Sequence, residues 1–448
     1  MNRSVSVFLA GLATVLISDS ALADMTIAKS KKAELSAGLE IGAFYGHTEN
    51  ANFGVGVLDF HSSQLRPPRV DQYEAYFKPA LKGHVNTENH GTVYSRLSAV
   101  GALSRGDGDA AGVTRGSEED IDLEELVFGW RSGNLTPTLG KDAIDFSIGA
   151  QEFKIGDGFL VWDGNNDAFQ DGAYWLIPRN AFEESAVLRF NTKPIRGDVF
   201  YLRADRDHDR AQFAGLNVEY IKNKFGTIGG AYMNFFDAEN SVMTRDGMQL
   251  ADVRFKFDTI PYLPNVTFAG EYAKQFGETR GRDINAFGWH LTGRYDFKNI
   301  PWKPYIRYRY AQFSGDDPGT PRQEKFDSLF YGYSDYGDWY QGEISSNGLL
   351  PNENQRNHMV HVSASPREWL RLDAMYYRFY LDNKFFNSTA TTKRHFSDEV
   401  NLSFEIYLSE KSSIGALYSV AMPGKAAVQS IGGNNTTQAL KIFLIYNF

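Results

Sequence analysis

The chain has 448 residues, a net charge of -9 and no cysteine. The lack of cysteine excludes disulfides and thiolate metal sites, and the acidic balance argues against nucleic acid as a partner. The chain is nevertheless rich in aromatic residues and glycine, with 33 Phe, 24 Tyr, 7 Trp and 42 Gly, although its mean hydropathy is negative. This combination suits a sheet with one apolar and one wetted face.

The first 23 residues predict a secretory signal peptide. Arg3 precedes an apolar stretch from Val5 to Ile17, and Ala21-Leu22-Ala23 forms a small-x-small processing site. The apolar stretch has about 13 residues, fewer than the roughly 18 that a membrane anchor needs. We therefore expect export and a mature chain that begins near Asp24. In the rest of the chain, charges interrupt every apolar run before it reaches the roughly 20 residues of a helical span.

From residue 32 onward, eighteen short segments follow one another. Each has about 10–14 residues, enough for a tilted membrane strand, and many alternate with a period of two. In one of them Ala251, Val253 and Phe255 share a face, while Asp252 and Arg254 share the other. The segments are approximately 32–46, 71–84, 91–104, 121–131, 143–154, 184–193, 197–206, 213–222, 226–236, 248–258, 264–276, 284–297, 303–314, 355–365, 368–382, 396–409, 411–422 and 436–448.

The links between the segments alternate in length. From the second link onward every other one is short, and several carry proline, such as Pro194, Pro301 and Pro366. The other links are mostly longer and polar, notably 47–70, 105–120, 155–183, 315–354, 383–395 and 423–435. Short periplasmic turns and long extracellular loops are typical of outer-membrane barrels. A soluble sandwich also buries one face of each strand, but it has no reason to alternate its links in this way.

The last segment has an apolar or aromatic residue at every second position: Leu440, Ile442, Leu444, Tyr446 and Phe448. This ending resembles the signal that the outer-membrane assembly machinery reads. Because hydrocarbon satisfies no backbone N–H or C=O group, the first and last strands must pair. The sequence thus predicts an all-β, transmembrane antiparallel β-barrel of about 18 strands, formed by residues 24–448 as a single domain. We expect a monomer in the Gram-negative outer membrane, with lipid around it.

A barrel of this size encloses an aqueous channel, so its function should depend on the lumen lining. The basic residues expected to face the lumen are Arg189, Arg203, Arg254, Lys256, Arg294, Arg307, Arg309 and Arg371, whereas Arg378 has the opposite parity to Arg371. Rings of such residues favour anions, and the pair Arg307 and Arg309 predicts a positive constriction. Alternatively, these residues only pair with lumen acids, for which the candidates are Glu125, Glu152, Glu219, Glu271, Asp373, Glu399 and Glu405.

The link 315–354 is too long for a simple connection. Its aromatic residues argue against disorder, and they include Tyr331, Tyr333, Tyr336, Trp339 and Tyr340. Aromatic faces stack on sugar rings, so this link could fold into the mouth as a lid over a carbohydrate. Alternatively, the aromatic residues only pack the link onto the rim.

Three sequence stretches resemble the alginate-export family of outer-membrane porins: FDSLFYGYSDYGDWYQGEI at 326–344, YYRFYLDN at 376–383 and DEVNLSFEIYLSEKSSIGALYSVAMPGKA at 398–426. The resemblance extends weakly to QEFKIGDGFLVWDG at 151–164. It implies an eighteen-stranded monomeric barrel whose electropositive lumen passes an acidic polysaccharide outward.

The chain departs from that family at one level of the lumen. The family's arginine-rich strand matches residues 149–154, but Ala150 and Glu152 stand at the arginine positions and only Lys154 is basic. Glu125 does match an acid of the preceding strand. The loss of positive charge makes the resemblance a better guide to architecture than to the transported solute.

The sequence therefore predicts a channel that passes a polar solute by passive diffusion, with an anionic polysaccharide or oligosaccharide such as alginate as the cargo. The alternative is an uptake porin for small organic acids or sugars. A barrel enzyme and a plugged structural barrel are weaker rivals. No catalytic motif stands out among the nine histidines, and neither a cofactor nor a metal site is predicted. Asp163 to Asp167 imitate the opening of a calcium loop, but Ala168 replaces the required glycine.

Overall fold

A computed structural model describes residues 25–87, 90–165, 167–222, 225–237, 245–332 and 341–448. The predicted signal peptide therefore lies outside the described residues. Within the described ranges, no helix is both long enough and apolar enough to cross a membrane. The only α-helices there are the short Ser345–Gly348 and Lys425–Ile431.

Eighteen antiparallel strands of one sheet, numbered here in chain order, build the structure. They are β1 Ala33–Glu49, β2 Val70–Thr87, β3 Gly91–Gly106, β4 Glu119–Arg131, β5 Ile144–Ala150, β6 Glu184–Asn191, β7 Ile195–Arg203, β8 Gln212–Lys222, β9 Gly226–Asp237, β10 Met248–Phe257, β11 Val266–Thr279, β12 Arg282–Asp296, β13 Tyr305–Phe313, β14 Gln355–Arg367, β15 Leu370–Leu381, β16 His395–Ser409, β17 Ser412–Pro423 and β18 Thr437–Asn447. Every predicted segment overlaps one of these strands.

The sheet closes on itself, as predicted. Each strand pairs with the next in sequence, and β1 pairs with β18 from Glu40 opposite Asn447 to Glu49 opposite Gln438. One strand of this sheet was not predicted: Met25–Lys29 pairs with the N-terminal end of β1, opposite residues 34–37. This strand continues the ring at the level where β1 extends beyond the end of β18. Two short hairpins in the long connections, Val57–Asp59 with Gln64–Arg66 and Phe385–Phe386 with Thr389–Ala390, were not predicted either.

The two faces of the wall differ in chemistry. Outward-facing positions are apolar and exposed, as shown by Phe128 at 63%, Val253 at 57% and Val199 at 54%. A soluble protein rarely exposes so continuous an apolar surface, so this belt is the lipid-facing wall. Tyr262, Trp302 and Trp369 are exposed near one end of the barrel, where an aromatic girdle is expected. Inward positions are mostly polar or aromatic, which confirms the predicted alternation.

The longest connections lie at one end of the barrel: 50–69, 151–183 and 314–354. The opposite end has tight turns, such as 192–194, 368–369 and 410–411. This asymmetry matches the prediction of short periplasmic turns and long extracellular loops.

A β-bulge in β4 places two consecutive acids inside the barrel. Ser98 of β3 pairs with Glu125, whereas the next residue, Ala99, pairs with Leu123, so Glu124 is the extra residue. Both glutamates are buried. A bulge locally breaks the alternation of faces, and this allows adjacent side chains to point the same way.

The closure of β1 on β18 can be tested with cysteine pairs, because the native chain has no cysteine. Ala43 lies opposite Leu444, and facing residues have Cβ atoms about 5 Å apart. We expect the double variant Ala43→Cys, Leu444→Cys to be joined by a short thiol cross-linker, which alters its mobility on a denaturing gel. The control pair Ala43→Cys, Leu402→Cys, with Leu402 on β16, should stay unlinked. Equal linking of both pairs would contradict the closed register.

Candidate functional site

The described parts of two connections fold inward and partly fill the lumen. Loop A comprises residues 151–183 between β5 and β6, and loop B comprises residues 314–354 between β13 and β14. Their apolar side chains form one buried cluster with the inner wall. The members from the wall include Phe200, Phe213, Phe235 and Phe313. The members from the two loops are Phe153, Ile155, Phe159, Leu160, Val161, Phe182, Phe326, Leu329 and Phe330. The sequence predicted long, mostly polar links and an inward fold only for 315–354; the inward course of loop A was not predicted, and it follows because its hydrophobic residues are removed from water inside the barrel.

The loops also pair with each other by backbone hydrogen bonds. Trp162 N donates to Phe330 O over 2.7 Å, and Phe330 N donates to Leu160 O over 3.0 Å. Gly332 N donates to Gly158 O over 3.0 Å. The described part of loop B therefore lies within the barrel, against loop A, rather than on the rim. Of the predicted aromatic lid, Tyr331 is described; the remaining members, Tyr333, Tyr336, Trp339 and Tyr340, lie outside the described residues.

Buried wall carboxylates hold the loop backbones. Glu399 on β16 accepts hydrogen bonds from the backbone N–H groups of Glu343 and Ser345 in loop B, at 2.6 and 2.7 Å. Glu74 on β2 accepts one from Trp175 N of loop A at 3.0 Å. Hydrogen bonds to an ionised acceptor are stronger than neutral ones. These contacts use otherwise unsatisfied loop amides to fix the loops to the wall.

A third anchor combines an acid with a base. Lys78 Nζ lies 3.1 Å from Glu124 Oε1 and donates to Pro178 O of loop A over 2.8 Å. Glu124 in turn accepts a hydrogen bond from Asn180 N at 2.9 Å. The β-bulge in β4 thus positions a carboxylate that binds the end of loop A.

Two contacts between arginine and aspartate involve the loops. Arg245, from the connection between β9 and β10, donates two hydrogen bonds to Asp327 of loop B, at 2.8 and 3.0 Å. Burial opposes ionisation of Asp327, but the Arg245 guanidinium outweighs it and lowers the pKa of this carboxyl. In loop A, Arg179 donates to Asp167 over 2.6 Å. There burial outweighs the guanidinium and raises the pKa of Asp167 to about 8.

Six predicted basic residues face the lumen along one side, from β10 to β15. We call this set the basic wall: Arg254, Lys256, Arg294, Arg307, Arg309 and Arg371. Arg294 and Arg307 are direct partners across β12 and β13. Arg189 on β6 also has inward parity, but it lies away from this group. Arg378 points outward, as its parity predicted.

Most of the basic wall makes specific polar contacts. Arg254 pairs with Asp252 and Glu219, both at 2.9 Å. Arg294 lies 2.6 Å from Asp296, and Arg371 lies 2.9 Å from Asp373. The alternative of mutual pairing among lumen charges therefore holds for these three arginines. Lys256 makes no ion pair with the described residues.

The predicted pair Arg307 and Arg309 is deeply set. Arg309 is 1% exposed and donates to Thr292 Oγ1 over 3.1 Å, and Arg307 is 9% exposed with Nη2 3.0 Å from His361 Nδ1. Lys256, Arg294 and Arg371 are more accessible. A solute in the lumen would therefore contact these three cations more readily than Arg307 and Arg309.

Arg203 does not line the lumen, contrary to the prediction. It has the same parity as the lipid-facing Val199, and it pairs at the rim with Glu184 over 2.9 Å and with Glu183 over 3.4 Å. The prediction failed because charged residues near a strand end can face outward where the wall meets water. Glu125 does face inward, and its Oε1 lies 3.5 Å from Arg96 Nη1.

The sequence did not identify the anchors Glu74, Lys78, Glu124 and Lys441. Lys441 on β18 lies 2.7 Å from Glu343 of loop B, and Trp175 of loop A donates to the same carboxylate over 3.2 Å. The sequence feature that could have identified these anchors is a charged residue at an inward-facing strand position. In loop A the corresponding feature is the apolar run Phe159-Leu160-Val161, because a loop exposed to water rarely contains such a run.

A closed antiparallel barrel with a lipid-facing wall, a polar lumen and in-folded loops defines the outer-membrane channel class of protein. The sequence matches the alginate export family over residues 135–423, more than half of the chain. The chain therefore belongs to the alginate export family. No curated protein matches the sequence.

Solved structures from Pseudomonas aeruginosa have the same fold. OccK5 (OpdH) superposes with a TM-score of 0.58 and 11% identity, over 92% of this chain and 97% of that one. OccK3 (OpdO) gives a TM-score of 0.56 and 13% identity, over 92% and 95%. OccD3 (OpdP) gives 0.56 and 11%, over 92% and 91%. At these identities the likeness shows the fold alone.

The role of Glu399 as an anchor can be tested by Glu399→Gln. The substitution removes the charge that strengthens its bonds to loop B, and bonds to charged groups contribute about 1.5–3 kcal/mol each. We expect loop B to leave its docked position at least about tenfold more often, which planar-bilayer recordings would report as more frequent conductance fluctuations. The matched control is Glu405→Gln on the same strand, whose hydrogen bond comes from Tyr407. Equal fluctuations in both variants would contradict the anchoring role.

Proposed function

We propose that this chain is a monomeric outer-membrane pore that passes a polar, anionic solute by passive diffusion. In this proposal the chain is exported behind a signal peptide at residues 1–23, and the assembly machinery recognises its C-terminal strand, which ends at Phe448. Membership of the alginate export family and the barrel fold support a channel rather than an enzyme.

The basic wall is the observation that carries the anionic preference. Lys256, Arg294 and Arg371 lie on three different strands and are partly exposed within the lumen. Positive side chains in a pore attract anions and repel cations. The three residues lie at the short-turn ends of their strands, so their field acts on a solute at that end of the lumen.

Two classes of anionic cargo fit this pore. The family name points to an acidic polysaccharide such as alginate. The in-folded loops instead favour small organic acids or acidic sugars, because loops A and B are hydrogen-bonded to each other within the barrel. Glu152 stands where the resemblance expects an arginine, and its carboxylate lies 3.8 Å from Lys78 Nζ. Its negative charge offsets the charge of Lys78, so this level of the lumen has no excess of positive charge. We favour the small-solute alternative on these grounds.

The solute class can be tested by single-channel conductance of the full mature chain in planar bilayers. A panel of uronate polymers, neutral oligosaccharides and small organic acids would be added in turn. We expect open channels whose current is reduced by the small acids more than by neutral oligosaccharides of similar size. A plugged structural barrel would show no conductance. Block by uronate polymers at lower concentrations than by small acids would identify the polysaccharide as cargo instead.

Charge selectivity can be tested by the triple substitution Lys256→Gln, Arg294→Gln, Arg371→Gln. Each charge contributes on the order of 1 kcal/mol to the energy of a nearby ion in a wet pore. We expect the anion-to-cation permeability ratio, measured from reversal potentials in a salt gradient, to fall at least about threefold. Arg378→Gln is the matched control, since Arg378 lies on the same strand as Arg371 but faces outward. An unchanged ratio in the triple variant would remove the basic wall as the selectivity element.

A further inference from the structure

Three side chains from different elements converge where loop A touches the wall. Asp157 belongs to loop A, Glu271 to β11 and His290 to β12, and one potential ligand atom from each lies within 4.8 Å of the other two. Glu271 and His290 are direct partners across their two strands. Ligands that share one metal ion at about 2.1 Å lie up to roughly 4 Å apart. Small side-chain adjustments therefore suffice for all three to bind one ion.

The backbone of loop A is shaped to bring Asp157 to this place. Gly156 and Gly158 flank it with φ values of 57° and 85°, in the left-handed region that favours glycine. A Cβ at Gly156 would lie 3.0 Å from Arg254 Nε and 3.8 Å from Glu271 Oε2. The absence of a side chain at residue 156 thus allows the turn to approach the wall closely.

The charge balance at the site calls for a cation. Glu271 is 6% exposed and makes no hydrogen bond or ion pair with any described residue. The adjacent Arg254 attracts the Glu271 carboxylate electrostatically but directs its hydrogen bonds to Asp252 and Glu219, both at 2.9 Å, so one guanidinium serves three carboxylates. Buried carboxylates that outnumber the neighbouring cations are unfavourable unless a further cation or a proton compensates them. The carboxylate of Asp157 adds further negative charge at the same point.

The imidazole of His290 favours a transition metal as that cation. His290 Nδ1 lies 3.2 Å from Thr292 Oγ1, and such a hydrogen bond on one ring nitrogen commonly orients a histidine whose other nitrogen ligates a metal. The Phe159 ring packs against the imidazole with centroids 5.3 Å apart. Calcium and magnesium prefer oxygen ligands only, whereas zinc accepts imidazole together with carboxylates.

We propose that Asp157, Glu271 and His290 bind a divalent transition-metal ion, Zn²⁺, which fastens loop A to the barrel wall. Three protein ligands leave the fourth position of a tetrahedral zinc site for water, and the half-buried Asp157 lies on the accessible side. This inference is independent of the proposed function, because the metal would hold loop A whichever solute passes. It replaces the sequence-based expectation that the chain has no metal site.

Zinc binding can be measured on the full mature chain in detergent after removal of metals with a chelator. We expect isothermal titration with Zn²⁺ to give one site per chain, and Glu271→Gln and His290→Gln each to weaken it at least about tenfold. His361→Gln is the matched control, because His361 is also a buried, inward-facing histidine but pairs with Asp373 at 2.7 Å. A wild-type chain that binds no zinc, or unchanged binding in both site variants, would overturn the proposal.

A variant that fails to form the barrel would lose its heat-modifiable gel mobility. In that case a second measurement, made on the wild type alone, tests the zinc site. X-ray absorption of the zinc-loaded wild type should show one imidazole and oxygen neighbours at about 2.0–2.2 Å. A spectrum with oxygen neighbours alone, or with several imidazoles, would assign the zinc to another place and overturn the proposal.

Discussion

The need to satisfy backbone hydrogen bonds in a medium without water is the constraint on which the rest of the structure depends. In hydrocarbon an unpaired strand edge is costly, so β1 and β18 must meet, and they pair over ten residues from Glu40 to Glu49. With eighteen strands the ring is too wide for wall side chains alone to fill it. Closure therefore creates the lumen, and the lumen in turn requires either water or chain to occupy it.

The in-folded loops meet the same backbone requirement by another route. Inside the barrel some of their amides pair between loops A and B, and buried carboxylates such as Glu74 and Glu399 accept hydrogen bonds from others. The inward acids therefore have two different roles. Glu74, Glu124 and Glu399 accept hydrogen bonds from loop backbone. Others, such as Asp252, Asp296 and Asp373, pair with arginines of the basic wall.

The sequence could predict the features that depend on a period of two, and it failed where that period is interrupted. Alternation predicted inward positions for Arg254, Arg294 and Arg309, and each of them has inward parity within a regular strand. Arg203 was misplaced because it ends its strand at the rim, where water removes the cost of facing outward. The inward direction of Glu124 depends on a bulge, and a bulge cannot be recognised from the alternation of residues in the sequence. The inward course of loop A depends on contacts with strands distant in sequence, which local patterning does not contain.

In the proposed pore, the positions of loop B and of Arg309 make the selection of a solute by its size and the selection by its charge interdependent. Arg309 pairs across its strand with Met359, and Met359 belongs to the apolar cluster that includes Ile344 and Leu350 of loop B. Loop B therefore covers the wall beside the most enclosed arginine of the basic wall. A displacement of loop B would widen the path and, at the same time, bring Arg309 into contact with the lumen. Both changes would favour a larger anion, so in the pore proposed above the docked loops would select against such solutes twice, once by volume and once by hiding positive charge.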